Sequence, residues 1–120
     1  VGDIKSHKDL LVYQKALDFV VAIYKETEVF PESEKFGLIV QLRRAAVSIP
    51  SNIAEGAARQ GIKEYIHFLY IALGSLSEIE TQLEIAYRLR FITDIDNLSK
   101  EYLHIKRMLL KLITTLKNKQ

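Results

Sequence analysis

Apolar residues return along this chain at intervals of three and four, and the clearest run is the last: Ile95, Leu98, Tyr102, Ile105, Leu109, Leu112 and Leu116. A helix turns once in 3.6 residues, so this spacing paints one face along its whole length, the a/d signature of a helix packed in a bundle. Three further segments read the same way. The first is expected to follow Ser6, which with Asp9 forms an S-x-x-D capping box, and to carry Tyr13, Ala16, Leu17, Val20, Ile23 and Tyr24 inward until Phe30-Pro31. Ser33 is expected to cap the second, where Ile39, Leu42, Ala46, Ile49 and Ile53 keep step through Pro50; this predicts one kinked helix running to about Gln60 and ended by Gly61. The third spans about Ile62 to Arg90, and Thr93 opens the fourth in a T-x-x-D box with Asp96.

Loops this short return each helix antiparallel to its predecessor, so the expected fold is all-α, an up-down-up-down four-helix bundle. No segment reads as a strand, and there are no repeats or linker-like stretches, so one domain covers 1–120. The third helix is apolar on nearly every side between Tyr65 and Leu73. That is more burial than a four-helix protomer offers one helix, and it predicts self-association into a defined oligomer.

Two polar stripes interrupt the apolar pattern. Arg44, Ser48, Asn52, Glu55 and Arg59 share one face of the second helix, and Ser75, Glu78 and Gln82 one face of the third. Gly56 and Gly74 lie within them, each costing roughly 1 kcal/mol against alanine, a cost that close helix approach could offset. The stripes are expected to meet in a buried or interfacial network, with Arg44 and Arg59 pairing Glu55 and Glu78. The competing reading is that some of these groups bind a phosphate or a partner's side chain, which suits arginine's planar fork.

Charge is uneven. The net charge is +2, yet from Lys100 onward six cations face one carboxylate, leaving +5 at this end and −3 elsewhere. Lysines on a solvated bundle helix account for this as well as a polyanion-facing surface does. Absence of cysteine excludes disulfides, thiolate metal sites and a cysteine nucleophile, and fits a cytoplasmic protein. The polar start, Val1 to Asp9, lacks the apolar region of a signal peptide, and no apolar run approaches the roughly 20 residues of a membrane span, so no membrane partner is expected.

Candidate catalytic chemistry is thin. Glu64-x-x-His67 and Glu101-x-x-His104 have the ligand spacing of a di-metal bundle. Both pairs open consecutive antiparallel helices, however, which sets them roughly 30 Å apart at 1.5 Å per residue. Phosphate-loop, nucleophile-elbow and zinc-helix motifs are lacking, and His7 precedes the first helix. No enzyme activity, metal or cofactor is expected.

The segment Gln41-Leu42-Arg43-Arg44-Ala45-Ala46-Val47-Ser48-Ile49-Pro50-Ser51-Asn52-Ile53-Ala54-Glu55-Gly56, with Arg59 and Ala72-Leu73-Gly74-Ser75-Leu76-Ser77-Glu78, closely resembles the four-helix-bundle proteins encoded within intervening sequences of bacterial large-subunit ribosomal RNA genes. The likeness extends from Leu10 to Leu89, while the last helix matches by pattern alone. Gly61 stands where relatives often have a small hydroxyl residue, and Arg90 where many have glycine. The resemblance implies a homo-oligomer, a pentameric barrel of bundles. A relative, the accessory variability protein of diversity-generating retroelements, binds nucleic acid and a reverse transcriptase through a basic barrel surface. By that likeness the expected partners are the chain itself, RNA or DNA, and a reverse transcriptase or other protein.

These lines converge on a non-enzymatic, oligomeric nucleic-acid-binding accessory protein, driven by charge and weakly sequence-specific. Candidate contacts are Lys106, Arg107, Lys111, Lys117 and Lys119 on the last helix, with Arg43, Arg59 and Lys63 elsewhere. Arg44, Ser48, Asn52, Glu55, Ser75 and Glu78 are expected to be structural. The alternative is a scaffold that binds proteins and no nucleic acid.

Overall fold

A computed structural model describes His7 and residues 10–120. It contains four helices, α1 (Leu11–Thr27), α2 (Leu38–Ala58), α3 (Ile62–Arg88) and α4 (Asp96–Lys117), with a 3-10 turn at Glu32–Glu34 and no strand among the described residues. Each helix packs against its sequence neighbours, and α4 closes on α1. Pairings across the seams run in opposite senses: Ser48 meets Ser75 while Gly56 meets Tyr65, and Lys117 meets Tyr70 while Tyr102 meets Glu80. Helices α2, α3 and α4 are therefore antiparallel in turn, in a rod of 46 × 24 × 19 Å. No helix is long and apolar enough to cross a membrane among the described residues.

Every helix gives its apolar stripe to one core. Phe19 and Ile23 from α1, Leu42, Ile49 and Ile53 from α2, Leu69, Leu76 and Ile79 from α3, and Ile105, Leu109 and Ile113 from α4 are all but sealed from solvent. On α4 this revises the expected seam. Ile113 is buried and Leu112 only half-buried. A strict seven-residue repeat drifts about 20° per heptad around a straight helix, so by the third heptad the neighbouring position has turned inward.

Helix ends depart from the sequence reading more than helix bodies. Ser6 and Asp9 lie outside the described residues, and α1 opens after Leu10 without a side-chain cap. Ser33 caps nothing; it lies in the 3-10 turn, and α2 opens after Gly37, where the Glu34 carboxylate accepts the Leu38 N–H at 3.1 Å. That carboxylate satisfies a first-turn donor and complements the positive helix end. The chain runs through Pro50 as one helix and stops at Ala58, so Gly61 precedes α3 rather than ending α2. Thr93 is likewise not the cap of α4; Asp94 accepts the Asp96 N–H at 2.9 Å. Helix α3 ends at Arg88 in a Schellman turn, with Phe91 N–H donating to Ala86 O at 2.9 Å and Arg90 N–H to Tyr87 O at 3.0 Å. Arg90 takes the left-handed conformation this turn needs, φ 65°, which glycine would adopt at less cost.

Candidate functional site

The two polar stripes do meet, but only their short members. Ser75 donates to Ser48 Oγ at 2.8 Å across the α2/α3 seam, and Asn52 Nδ2 donates to Ser48 Oγ at 2.9 Å and to Ser48 O at 2.8 Å. Small side chains let the helices approach. At Gly56 an added Cβ would lie 2.9 Å from Tyr65 Cδ1, 3.0 Å from Phe68 Cβ and 3.1 Å from Tyr65 O, so this glycine marks a true close approach. Gly74 does not: nothing lies within 4 Å of its Cβ position. Further along the seam the Gln82 side-chain oxygen is buried without a hydrogen-bond partner.

The longer members of the stripes face outward. Arg44 and Glu78 are both exposed, and neither forms an ion pair among the described residues, so the expected buried Arg44–Glu78 pairing is not made within the protomer. One helical position separates seam from rim, and these long side chains sit on the rim. Glu55 does pair with Arg59, at 3.3 Å, on the half-exposed edge of α2. Alanine at Arg44 or Glu78 is expected to change stability by no more than about 0.5 kcal/mol in thermal melts. A loss of roughly 3 kcal/mol or more would mean that the charges are buried against another copy.

The candidate nucleic-acid contacts divide by what already holds them. Arg43 donates to Thr27 Oγ1 at 3.0 Å and to Tyr24 O at 3.3 Å, and its guanidinium lies 4.4 Å from the Tyr24 ring centroid. It clamps the C-terminal turn of α1, where free carbonyls favour a cation. Arg59 lies between Glu55 and Glu64, 3.3 and 3.9 Å away, and over the Phe68 ring at 5.0 Å. Neither is a free cation. By contrast Lys100, Lys106, Arg107, Lys111, Lys117 and Lys119 are all exposed, and none has a carboxylate partner among the described residues.

These α4 cations form two rows. Lys106 and Lys117 are three turns apart on the flank facing α3, with Lys106 5.9 Å from the Tyr102 ring centroid and Lys117 donating to the Tyr70 hydroxyl at 2.9 Å. Lys100, Arg107 and Lys111 follow the outer face toward α1, where Lys111 borders an apolar groove with Leu10, Met108 and Thr115. Lys119 lies beyond the helix end. Lys63 is exposed in the first turn of α3.

The two E-x-x-H pairs fall on different seams. Glu64 faces Arg59 beside α2, whereas Glu101 and His104 line a small cleft with Lys15 and Asp18 between α4 and α1. Beside the Tyr102 hydroxyl, Glu80 and Glu84 line another cleft with Ser99 and Leu103. Burial, and then the hydrogen bond and negative charge of Glu80, raise the Tyr102 pKa, so its hydroxyl stays protonated. Sequence reasoning does not single out Tyr70 as functional. It belongs to the apolar stretch of α3, and no local signal announces that α4 sets a lysine against it.

Comparison with curated proteins gives no match. Among solved structures, a protein of unknown function from the S23 ribosomal protein family of Bacteroides thetaiotaomicron is 30% identical, covering 88% of this chain and 94% of its own, with a TM-score of 0.62. The family model described as 23S rRNA-intervening sequence protein matches residues 8–111, a span that holds the Ser48–Asn52–Ser75 seam, Gly56 and most of α4. With both polar stripes, three whole helices and most of the fourth inside that match, the chain belongs to the 23S rRNA-intervening sequence protein family.

Proposed function

We infer that this protein is a non-enzymatic, nucleic-acid-binding accessory protein that works as a homo-oligomer, a pentameric barrel as the family likeness suggests. The observation that carries the reading is the concentration of cations on α4, all of them exposed and none with a carboxylate partner among the described residues. Such cations displace counterions from a phosphate backbone, and their effect multiplies when protomers assemble. Assembly is supported by apolar side chains left open on two faces: Leu17, Val21 and Val47 about the α1/α2 seam, and Ile71 and Ile85 on α3.

Binding of labelled RNA and DNA, followed by fluorescence anisotropy across a salt series, tests this. Neutralising Lys106, Arg107 and Lys111 together is expected to flatten the slope of log affinity against log salt by up to about 0.9 for each duplex phosphate no longer neutralised, or 0.7 for single strands. Sedimentation should show the oligomer unchanged. Binding that is undetectable even at low salt would favour a protein scaffold.

A further inference from the structure

The stripe Lys63, His67, Tyr70 and Gly74 runs along the outer face of α3 at intervals of four, three and four, so these residues follow one another on one surface. Tyr70 is 46% exposed, as Tyr24 and Tyr87 are to a similar degree. Lys117 fixes it from the side: the ammonium is 2.9 Å from the hydroxyl yet 5.3 Å from the ring centroid, which places it at the hydroxyl edge and not over the face. One turn further on, Gly74 has no side chain and nothing within 4 Å of where one would begin. Glycine in mid-helix is unfavourable, and no contact within the protomer accounts for this one. The result is a held aromatic ring beside a bare stretch of helix backbone, with a cation at the ring's edge and another, Lys63, two turns away.

We propose that Tyr70 and Gly74 form a stacking site for an unpaired base of single-stranded nucleic acid, with Lys117 and Lys63 contacting its phosphates; this rests on the nucleic-acid-binding reading above. A base has a π-face whatever its identity, so the site takes single strands without reading their sequence. Bases within a duplex already stack on one another and are closed to it. Gly74 provides the floor over which a planar ring can lie close to the helix, and a side chain there would occupy that space.

The test compares a fluorescein-labelled oligodeoxythymidylate with a duplex of equal length, by anisotropy at matched salt. Tyr70→Leu should weaken single-strand binding about tenfold or more while leaving duplex binding and the salt slope unchanged. Tyr70→Phe, which keeps the ring, should bind within about twofold of the parent, since stacking uses the face and not the hydroxyl. Gly74→Leu, built into open space and so expected to fold, should weaken single-strand binding selectively. Equal losses for both probes, or none, overturn the stacking site while leaving charge-driven binding intact. A Tyr70→Leu protein that sediments as a smaller species would also overturn it, assigning the ring to contact between copies. If the parent protein binds neither probe, the nucleic-acid reading itself fails and the stacking site with it.

Discussion

Alanine at Ile113 is expected to destabilise the fold by about 2 to 5 kcal/mol, and alanine at Leu112 by less than half as much. The apolar repeat of α4 favours the opposite order, because Leu112 holds the seven-residue register and Ile113 breaks it. Burial decides. Ile113 is 2% exposed in the core, whereas Leu112 is half-buried and borders the groove between α1 and α4. Removing a sealed side chain loses its transfer free energy and leaves a cavity, while a groove wall can relax and admit water. Urea unfolding with an unchanged m-value measures both losses. Equal costs would mean that the seam keeps to the strict heptad and that the drift of α4 is not as described.

Alanine at the two helical glycines should move stability in opposite directions. Both substitutions gain the helix propensity that glycine forfeits, roughly 1 kcal/mol. At Gly56 the new methyl would meet Tyr65 and Phe68, including a backbone oxygen at 3.1 Å, so α2 and α3 must part where they are closest. Overpacking of this kind costs typically about 1 to 3 kcal/mol and outweighs the gain. At Gly74 the methyl enters open space, so Gly74→Ala should stabilise by about 0.5 to 1 kcal/mol. Thermal melts of the two variants give the signs directly. A destabilising Gly74→Ala would show that something presses on that face, and another copy of the chain would be the first suspect.

The helices themselves are plain in the sequence, because burial imposes a 3.6-residue period on each long segment. Helix starts are not. Ser33 and Thr93 both carry the chemistry of a cap, yet a cap is decided by a few torsions, and Glu34 and Asp94 supply the carboxylate oxygens instead. The serine and asparagine seam is legible as a meeting of stripes. That Arg44 and Glu78 stand on its rim is not, since a turn of one residue around each helix separates a seam position from an exposed one. The basic end is visible by counting, but the partners of its candidates are not. Arg43 is held by Thr27 and Tyr24 on the preceding helix, and Lys117 by Tyr70, 47 residues away. Such partnerships belong to packing, and no local pattern encodes them.

Because the α4 cations occupy two rows on different flanks, their number overstates what one straight polyanion can reach. A strand following the outer row meets Lys100, Arg107 and Lys111 and leaves Lys106 and Lys117 turned toward α3. Three neutralised phosphates correspond to a salt slope of only about −2.7 on duplex DNA, well short of the roughly −5 to −9 that six to ten phosphate contacts give. One protomer is thus a weak ligand by construction, and useful affinity requires several rows on one strand at once. The oligomer then acts as a multivalent clamp, whose grip depends on the spacing of protomers rather than on any one lysine.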